Sequence, residues 1–112
     1  ACIQALISAA SRGVAVRFIS AQLTQDGRDA NAPGRETLNS GGVDARAGTF
    51  LYIHAKMILA DYGTSDQVAF VGSENLSDAS LDKNRELGIL VEDKAILDRL
   101  NTVFEQDWAR EL

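Results

Sequence analysis

The chain contains one histidine, His54, and a lysine, Lys56, lies two residues after it. Asp61 follows after four intervening residues, and the tetrapeptide Gly72-Ser73-Glu74-Asn75 follows after ten more. An imidazole can act as a nucleophile, an ammonium group attracts anionic oxygens, and serine and asparagine side chains donate hydrogen bonds. Displacement at the phosphorus of a phosphodiester needs a nucleophile and neutralisation of the non-bridging oxygens. The residue types therefore predict phosphodiester chemistry.

Four of these side chains have a predicted role at the phosphate. A neutral imidazole can attack phosphorus and form a phosphohistidine when an acceptor holds its other ring nitrogen. We therefore predict His54 as the nucleophile and Lys56 as the charge that neutralises the non-bridging oxygens. Asn75 would donate its amide N–H groups to the same oxygens, and Ser73 would add a hydroxyl. Together they would form a cradle for a phosphate.

The remaining polar residues of this stretch have a structural interpretation. Asp61 is predicted to be a turn residue rather than a substrate contact, because aspartate stabilises turns through the neighbouring backbone. Gly72 is predicted to provide the bend that ends a strand. Glu74 lies between two motif positions and is predicted to be solvated. Asn84 either contacts the phosphate or begins a strand.

Strands are predicted to present the reactive groups. The alternation over residues 52–60 places His54 and Lys56 on one strand face, about 7 Å apart at their Cα atoms. Residues 68–71 predict a strand that returns as a hairpin partner, and residues 85–91 predict the next strand. We therefore expect the reactive side chains at the ends of three neighbouring strands.

Helices and strands alternate along the rest of the chain, which predicts the α/β class with a mixed β-sheet flanked by helices. Glycines close the first two predicted helices, Asp93 is predicted to cap the last one, and Trp108 is predicted to pack in the core. The elements are a helix over residues 1–12, a buried strand over residues 14–19, a loop over residues 20–34, a helix over residues 35–40, a strand over residues 43–46 and a C-terminal helix after residue 93.

The composition predicts one folded domain over residues 1–112. Apolar residues make up 46% and charged residues 24% of the chain, which excludes a disordered polypeptide. No apolar run approaches the roughly 20 residues that span a bilayer. The net charge is −5 without a basic stripe, which disfavours nucleic acid as a partner. Cys2 is the only cysteine, so the sequence excludes an internal disulfide and a Cys/His metal cluster.

The spacing resembles the HKD signature of the phospholipase D superfamily, H-x-K-x4-D-x6-G-S-x-N. His54, Lys56 and Asp61 match without change, whereas the gap before Gly72 is four residues longer than the common spacing and falls in the predicted turn. Nearly the whole chain resembles the C-terminal half of bacterial proteins related to cardiolipin synthase. The segments that carry this wider resemblance are residues 13–17, 42–44, 75–76, 80–81, 84–87 and 104–108.

The resemblance implies a phospholipase D-like half-domain with one HKD motif over residues 54–75. Family members carry a Glu or Asp that bonds Nδ1 of the nucleophile, which implies this role for Glu86. They also use a second histidine, from a second motif, to protonate the leaving alkoxide. We therefore expect a second half in the same polypeptide, or a homodimer partner, to complete the site. The start at Ala1 suggests missing upstream sequence and favours the same polypeptide.

The implied activity is phosphodiester hydrolysis or phosphatidyl transfer through a phosphohistidine at His54, without metal or cofactor. The acidic balance favours phospholipid over DNA, with peripheral membrane contact through segments outside this chain. Two alternatives stay open: a metal-independent nuclease, and a non-catalytic half that only scaffolds or dimerises. The sequence does not determine the head group, the acceptor or the cellular compartment.

Overall fold

The computed structural model describes residues 2–77 and 82–111. The chain forms two compact units, residues 1–54 with 108–112 and residues 55–107. Helices and small sheets of both orientations are present, which confirms the α/β class. The single domain over residues 1–112 stays a prediction. Among the described residues, no helix is both long and apolar enough to cross a bilayer.

The first unit is built around a parallel strand pair. Its elements are α1 (Cys2–Ser11), β1 (Arg17–Ala21), β2 (Thr24–Gln25), β3 (Arg28–Asp29), α2 (Ala32–Ser40) and β4 (Asp44–Gly48). Strands β1 and β4 pair in parallel, and α2 lies between them in the chain. Buried Leu38, Val43 and Ala45 form the core, and partly buried apolar residues of α1 and β1 pack against it. This packing explains the helical spacing of apolar residues in α1.

The second unit is an antiparallel meander followed by most of a long helix. Its elements are β5 (Met57–Ala60), β6 (Val68–Gly72), β7 (Gly88–Val91) and α3 (Lys94–Arg110). The central strand β6 pairs with both β5 and β7, which confirms the predicted hairpin of the first two strands. Ala69 and Leu97 have no solvent exposure and form the interior of this unit.

Capping contacts confirm the predicted helix ends. Gly13 after α1 and Gly42 after α2 have φ of +91° and +92°, which glycine adopts without side-chain strain. The side chain of Asp93 caps α3, because its Oδ1 accepts a hydrogen bond from the N–H of Ile96 at 3.0 Å. Helix α2 begins three residues earlier than predicted, with Pro33 in its first turn.

The paired strands of the first unit begin later than predicted. Strand β1 covers Arg17–Ala21 rather than residues 14–19, and β4 covers Asp44–Gly48 rather than residues 43–46. The register sets these bounds, with Arg17 opposite Asp44 at one end and Ala21 opposite Gly48 at the other. Arg17 is exposed and the next three residues are only partly buried, so the prediction of a strand buried on both faces is wrong.

Residues 20–34, predicted to be a loop, contain a short hairpin of β2 and β3. Its two turn residues, Asp26 and Gly27, have φ of +51° and +75°. Type I′ hairpin turns require positive φ at both central residues, and Asp-Gly is a favoured pair for them. This dipeptide was therefore the signal that could have predicted the hairpin.

Arg35 on α2 is a buried charge that fastens this hairpin. Its side chain is 9% exposed and pairs with Asp29, and it also donates to Oγ of Ser20 at 2.9 Å. Oδ1 of Asp29 accepts the N–H groups of Leu23 and Asn31, both at 3.0 Å. Burial alone would raise the pKa of Asp29, but these hydrogen bonds together hold it below its ordinary value.

Trp108, in the last turn of α3, is 8% exposed, which confirms its predicted place in the core. Two guanidinium groups cover the indole. The Cζ atom of Arg46 lies 3.8 Å from the ring centroid, and the Cζ atom of Arg17 lies 5.4 Å from it. Arg46 also donates to the carbonyl of Trp108 at 3.2 Å. Cation–π contacts and a backbone hydrogen bond therefore hold this turn against β1 and β4.

Replacing Asp29 by asparagine should remove a pH-dependent part of the stability. A carboxyl group with a lowered folded-state pKa stabilises the fold above its unfolded pKa, near 3.8, and loses that contribution as the pH falls through the folded value. The wild type should therefore have a higher urea midpoint than Asp29→Asn at neutral pH. The difference should shrink as the pH falls below about 4.

Urea denaturation of both proteins, from about pH 6 to about pH 2.5, measures this difference. Asp98 and Glu111 also have lowered pKa values, but both proteins contain them and their effects cancel. A difference that stays constant over the whole range would contradict the assignment.

Candidate active site

Strand β5 is shorter than the predicted strand over residues 52–60. It begins at Met57, so His54 and Lys56 precede the regular strand. The prediction that these two side chains share a face of one strand is therefore wrong.

The physical reason is that the central strand β6 ends at Gly72. The N–H of Gly72 donates to the carbonyl of Lys56 at 3.3 Å, on the β5 side. The N–H of the next residue, Ser73, donates to the carbonyl of Leu87 at 3.0 Å, on the β7 side. Consecutive N–H groups of a central strand point to opposite neighbours, so these bonds extend the two ladders by one residue each, and the chain before Lys56 has no residue of β6 to pair with.

His54 is exposed at the end of the N-terminal segment of the first unit, where its ring stacks with that of Tyr52. The ring centroids are 6.0 Å apart and the planes differ by 21°. Glu111 anchors the chain leading to this pair, since its carboxylate accepts the N–H groups of Thr49 at 2.7 Å and Phe50 at 2.8 Å. Hydrogen bonds from Thr49 and then Phe50 hold the pKa of Glu111 below its ordinary value. The sequence analysis predicted neither the stacking of Tyr52 on His54 nor the hydrogen bonds to Glu111.

The structure brings Ser73, Asn84 and Glu86 together before β7. Oγ of Ser73 donates to the carboxylate of Glu86 at 2.5 Å and accepts the N–H of Leu87 at 3.1 Å. Nδ2 of Asn84 donates to the other oxygen of Glu86 at 3.4 Å. A carboxylate with a donor on each oxygen is held in one orientation, as an orienting group must be. The bond from His54 to Glu86 stays a prediction.

Glu74 is not solvated as predicted, because its Oε2 is buried over a pair of glycines. Gly72 and Gly88 lie directly opposite each other on β6 and β7. A Cβ added at Gly72 would overlap this oxygen, and one added at Gly88 would lie 2.9 Å from it. The ring of Phe70 covers Gly88 from the same face. Only glycine at both positions leaves room for the carboxylate.

Two further motif residues lie in turns. Asp61 follows β5 with φ of +55°, and its carbonyl accepts the N–H and the hydroxyl of Thr64 at 3.1 and 2.7 Å. Asn75 is exposed, and its carbonyl accepts the N–H of Ser77 at 2.8 Å. Residues 80–81, which form part of the wider resemblance, lie outside the described residues. Both described turns are therefore fixed by local backbone contacts.

The second unit gathers several groups that suit an anionic oxygen ligand. The hydroxyl of Ser73 and the side-chain amides of Asn75 and Asn84 belong to loop residues after β6 and before β7. The carbonyl of Lys56 accepts a hydrogen bond at the same end of β6. Such donors bind phosphate oxygens, and Glu86 is the acceptor among them. His54 belongs to the first unit and is the last residue of its N-terminal segment.

A family profile described as the phospholipase D-like domain of cardiolipin synthase matches residues 1–108 of the chain. The chain belongs to the phospholipase D superfamily. This membership supports phosphodiester-related activity in general. A search of curated proteins found no significant match to this phospholipase D-like domain.

The fold of the phospholipase D-like domain also occurs in a solved structure, the polyphosphate kinase from Porphyromonas gingivalis. The TM-score is 0.69 at 18% sequence identity, over 91% of this chain. The domain spans only 18% of the length of that kinase. At this identity the likeness shows the fold alone.

Removing the Ser73 hydroxyl should loosen the start of β7. The Ser73→Ala variant deprives the N–H of Leu87 of its acceptor and Glu86 of a donor, and a lost hydrogen bond of this kind costs about 0.5–1.5 kcal/mol. Amide hydrogen exchange at Leu87 should therefore be faster, by about tenfold, in the variant. Ser65→Ala, at an exposed turn position, is the control and should leave the exchange unchanged. Equal protection in Ser73→Ala would contradict the role of the hydroxyl.

Proposed function

We propose that this phospholipase D-like domain catalyses phosphodiester hydrolysis or phosphatidyl transfer through a covalent phosphohistidine at His54. One ring nitrogen of His54 attacks phosphorus, the ester P–O bond breaks, and the leaving alkoxide takes a proton from a second histidine. Water or an alcohol then attacks phosphorus and returns a proton to that second histidine. The P–N bond breaks, and His54 is restored.

One observation carries this proposal: a member of the superfamily has His54, Lys56 and Asp61 in the unaltered motif spacing, followed by Gly-Ser-x-Asn. The geometry of the second unit supports it. The Gly72 N–H bond to the Lys56 carbonyl ties the two parts of the motif together, although fifteen residues separate them in the chain. The longer spacing after Asp61 is taken up within residues 61–67, between β5 and β6.

The proposed roles follow the chemistry of each side chain. Lys56 neutralises the non-bridging oxygens of the phosphate, and Asn75 and Ser73 donate hydrogen bonds to them. Glu86 accepts the N–H of the second ring nitrogen of His54 and so fixes its tautomer. The hydrogen bonds that Glu86 accepts from Ser73 and Asn84 support this orienting role, because they hold the carboxylate in place.

Phospholipid is the proposed substrate class. The matching family profile is named for cardiolipin synthase, and the net charge of −5 does not favour a polyanionic nucleic acid. The second histidine would come from another half of the same polypeptide or from a homodimer partner. Contact with the membrane surface would then be peripheral, through segments outside this chain.

Replacing His54 by alanine should abolish turnover. The assay uses the full-length protein with a chromogenic phosphodiester, phosphatidylcholine vesicles and single-stranded DNA. Loss of a nucleophile should lower kcat by at least about 10³-fold on the substrate that the wild type accepts. Turnover of DNA alone would establish the nuclease alternative. Equal behaviour of wild type and variant on all three substrates would leave the scaffold alternative.

The lysines provide a matched comparison in the same assay. Lys56→Ala should lower kcat by about 10²–10³-fold, because it removes a charge that stabilises the phosphorane-like transition state. Lys94→Ala removes an exposed lysine that pairs with Asp98 on the next turn of α3 and should retain activity. Similar losses in both variants would argue against a specific role for Lys56.

The covalent intermediate should be detectable on one peptide. Trypsin cleaves after Arg46 and Lys56, which yields the peptide of residues 47–56 with His54 as the only histidine. Wild-type protein quenched in alkali during turnover should carry a phosphorus-containing adduct on this peptide, and acid should remove it. The adduct should be absent from His54→Ala. An adduct on another residue would overturn the assignment of the nucleophile.

A further inference from the structure

A notch in the second unit is occupied by an acidic side chain to which the proposed mechanism gives no role. The notch lies where Gly72 and Gly88 face each other without side chains. Oε2 of Glu74 fills it, and the ring of Phe70 closes it from the neighbouring position, since a Cβ at Gly88 would lie 2.7 Å from Cε2 of that ring. The carboxylate is therefore seated in a shaped site on the sheet.

This arrangement is costly for folding. The buried Oε2 has no hydrogen-bond partner among the residues that the structure describes. Leaving a buried carboxylate oxygen unsatisfied opposes folding, and unsatisfied groups of this kind concentrate at functional sites. Glu74 lies between Ser73 and Asn75 of the motif. A role in holding these neighbours in place would explain why a buried carboxylate oxygen without a partner among the described residues is kept at this position.

The notch and the hydrogen bonds of Ser73 together hold a short loop, residues 73–75, against the sheet. Ser73 is held to β7 on one side by its bonds with Leu87 and Glu86. The side chain of Glu74 is held on the sheet by the notch. Asn75 follows directly and is itself exposed. With two consecutive residues fixed, the backbone at Asn75 has little remaining freedom.

We propose that Glu74 is a positioning residue, whose carboxylate wedges into the glycine notch and thereby holds Asn75 in place for the phosphate. The inference rests on the proposed function, because Asn75 needs a fixed position only if it binds a phosphate. Shape rather than charge is the operative property, because the notch offers the carboxylate no partner among the described residues. Glutamine, which has the same shape, should therefore replace glutamate.

Two substitutions at Glu74 test this in the full-length protein. Glu74→Ala empties the notch, whereas Glu74→Gln keeps it filled. Glu92→Ala, at an exposed position after β7, is the matched control. We expect kcat on the accepted phosphodiester to fall about 10- to 100-fold in Glu74→Ala, with KM changed less than about threefold, because misplacement of a contact lowers the rate. Glu74→Gln should stay within about threefold of the wild type, and Glu92→Ala should be unchanged.

A structural readout separates this inference from the proposed function. Backbone order parameters at residues 73–75 should be near 0.85 in the wild type and Glu74→Gln, and about 0.6 or lower at Asn75 in Glu74→Ala. The urea midpoint of Glu74→Ala should be no lower than that of the wild type, because the substitution removes a buried oxygen with no partner in the described parts of the chain, whereas loss of a purely structural residue would lower it. If the wild type turns over no phosphodiester, the proposed function fails, and with it the role of Glu74 in phosphate binding. If turnover depends on His54 but Glu74→Ala retains both order and kcat, this inference alone is overturned.

Gly88→Ala keeps the inference falsifiable if Glu74→Ala does not fold. The added Cβ would overlap the ring of Phe70 and lie 2.9 Å from Oε2, so it should shift the ring and expel the carboxylate while Glu74 remains present. Asn75 should lose order in Gly88→Ala, and kcat should fall about 10- to 100-fold, whereas Glu74→Gln should retain both. Full order and kcat in Gly88→Ala, or a Glu74→Gln variant as impaired as Gly88→Ala, would refute the wedge.

Discussion

The central position of β6 between β5 and β7 is the constraint on which the candidate site in the second unit depends. Consecutive N–H groups of a central strand point alternately to its two neighbours. At the end of β6, the N–H of Gly72 therefore donates to Lys56 and that of Ser73 to Leu87. Residues far apart in the chain are brought to one end of the sheet in this way, and backbone hydrogen bonds connect Lys56 with the second part of the motif.

The absence of side chains at Gly72 and Gly88 follows from the same junction. A Cβ at Gly72 would lie 2.7 Å from both the Cα of Gly88 and the carbonyl oxygen of Leu87, so backbone atoms alone exclude a larger residue. The close approach that excludes side chains also leaves a notch above the pair. Glu74 and Phe70 occupy that notch, and a constraint on backbone packing thereby also determines the position of a motif loop.

Three acidic side chains anchor backbone segments in the described parts of the chain. Asp29 accepts two N–H groups of the β2–β3 hairpin, Asp93 caps α3, and Glu111 holds the segment that leads to His54. Hydrogen bonds outweigh desolvation at Asp29 and also lower the pKa of Glu111, so both remain charged at neutral pH. These carboxylates contribute to the negative net charge for a structural reason, so that part of the charge carries no information about the ligand.

The sequence by itself determined the features that depend on local periodicity and on motif spacing. These are the α/β class, the helices with their glycine and aspartate caps, the hairpin of β5 and β6, the buried Trp108 and the membership of the phospholipase D superfamily. Each can be read from a few neighbouring residues, because side-chain period and cap chemistry act over one or two turns of chain.

Only the tertiary structure decided where strands end and which polar groups are buried. Strand β5 begins at Met57 because its partner β6 ends at Gly72, opposite Lys56, and no local pattern records that. Glu74 is buried because two glycines sixteen residues apart face each other across a sheet. Strand pairing and burial depend on residues distant in sequence, so a single sequence determines the motif and its chemistry but not the contacts that hold the motif in place.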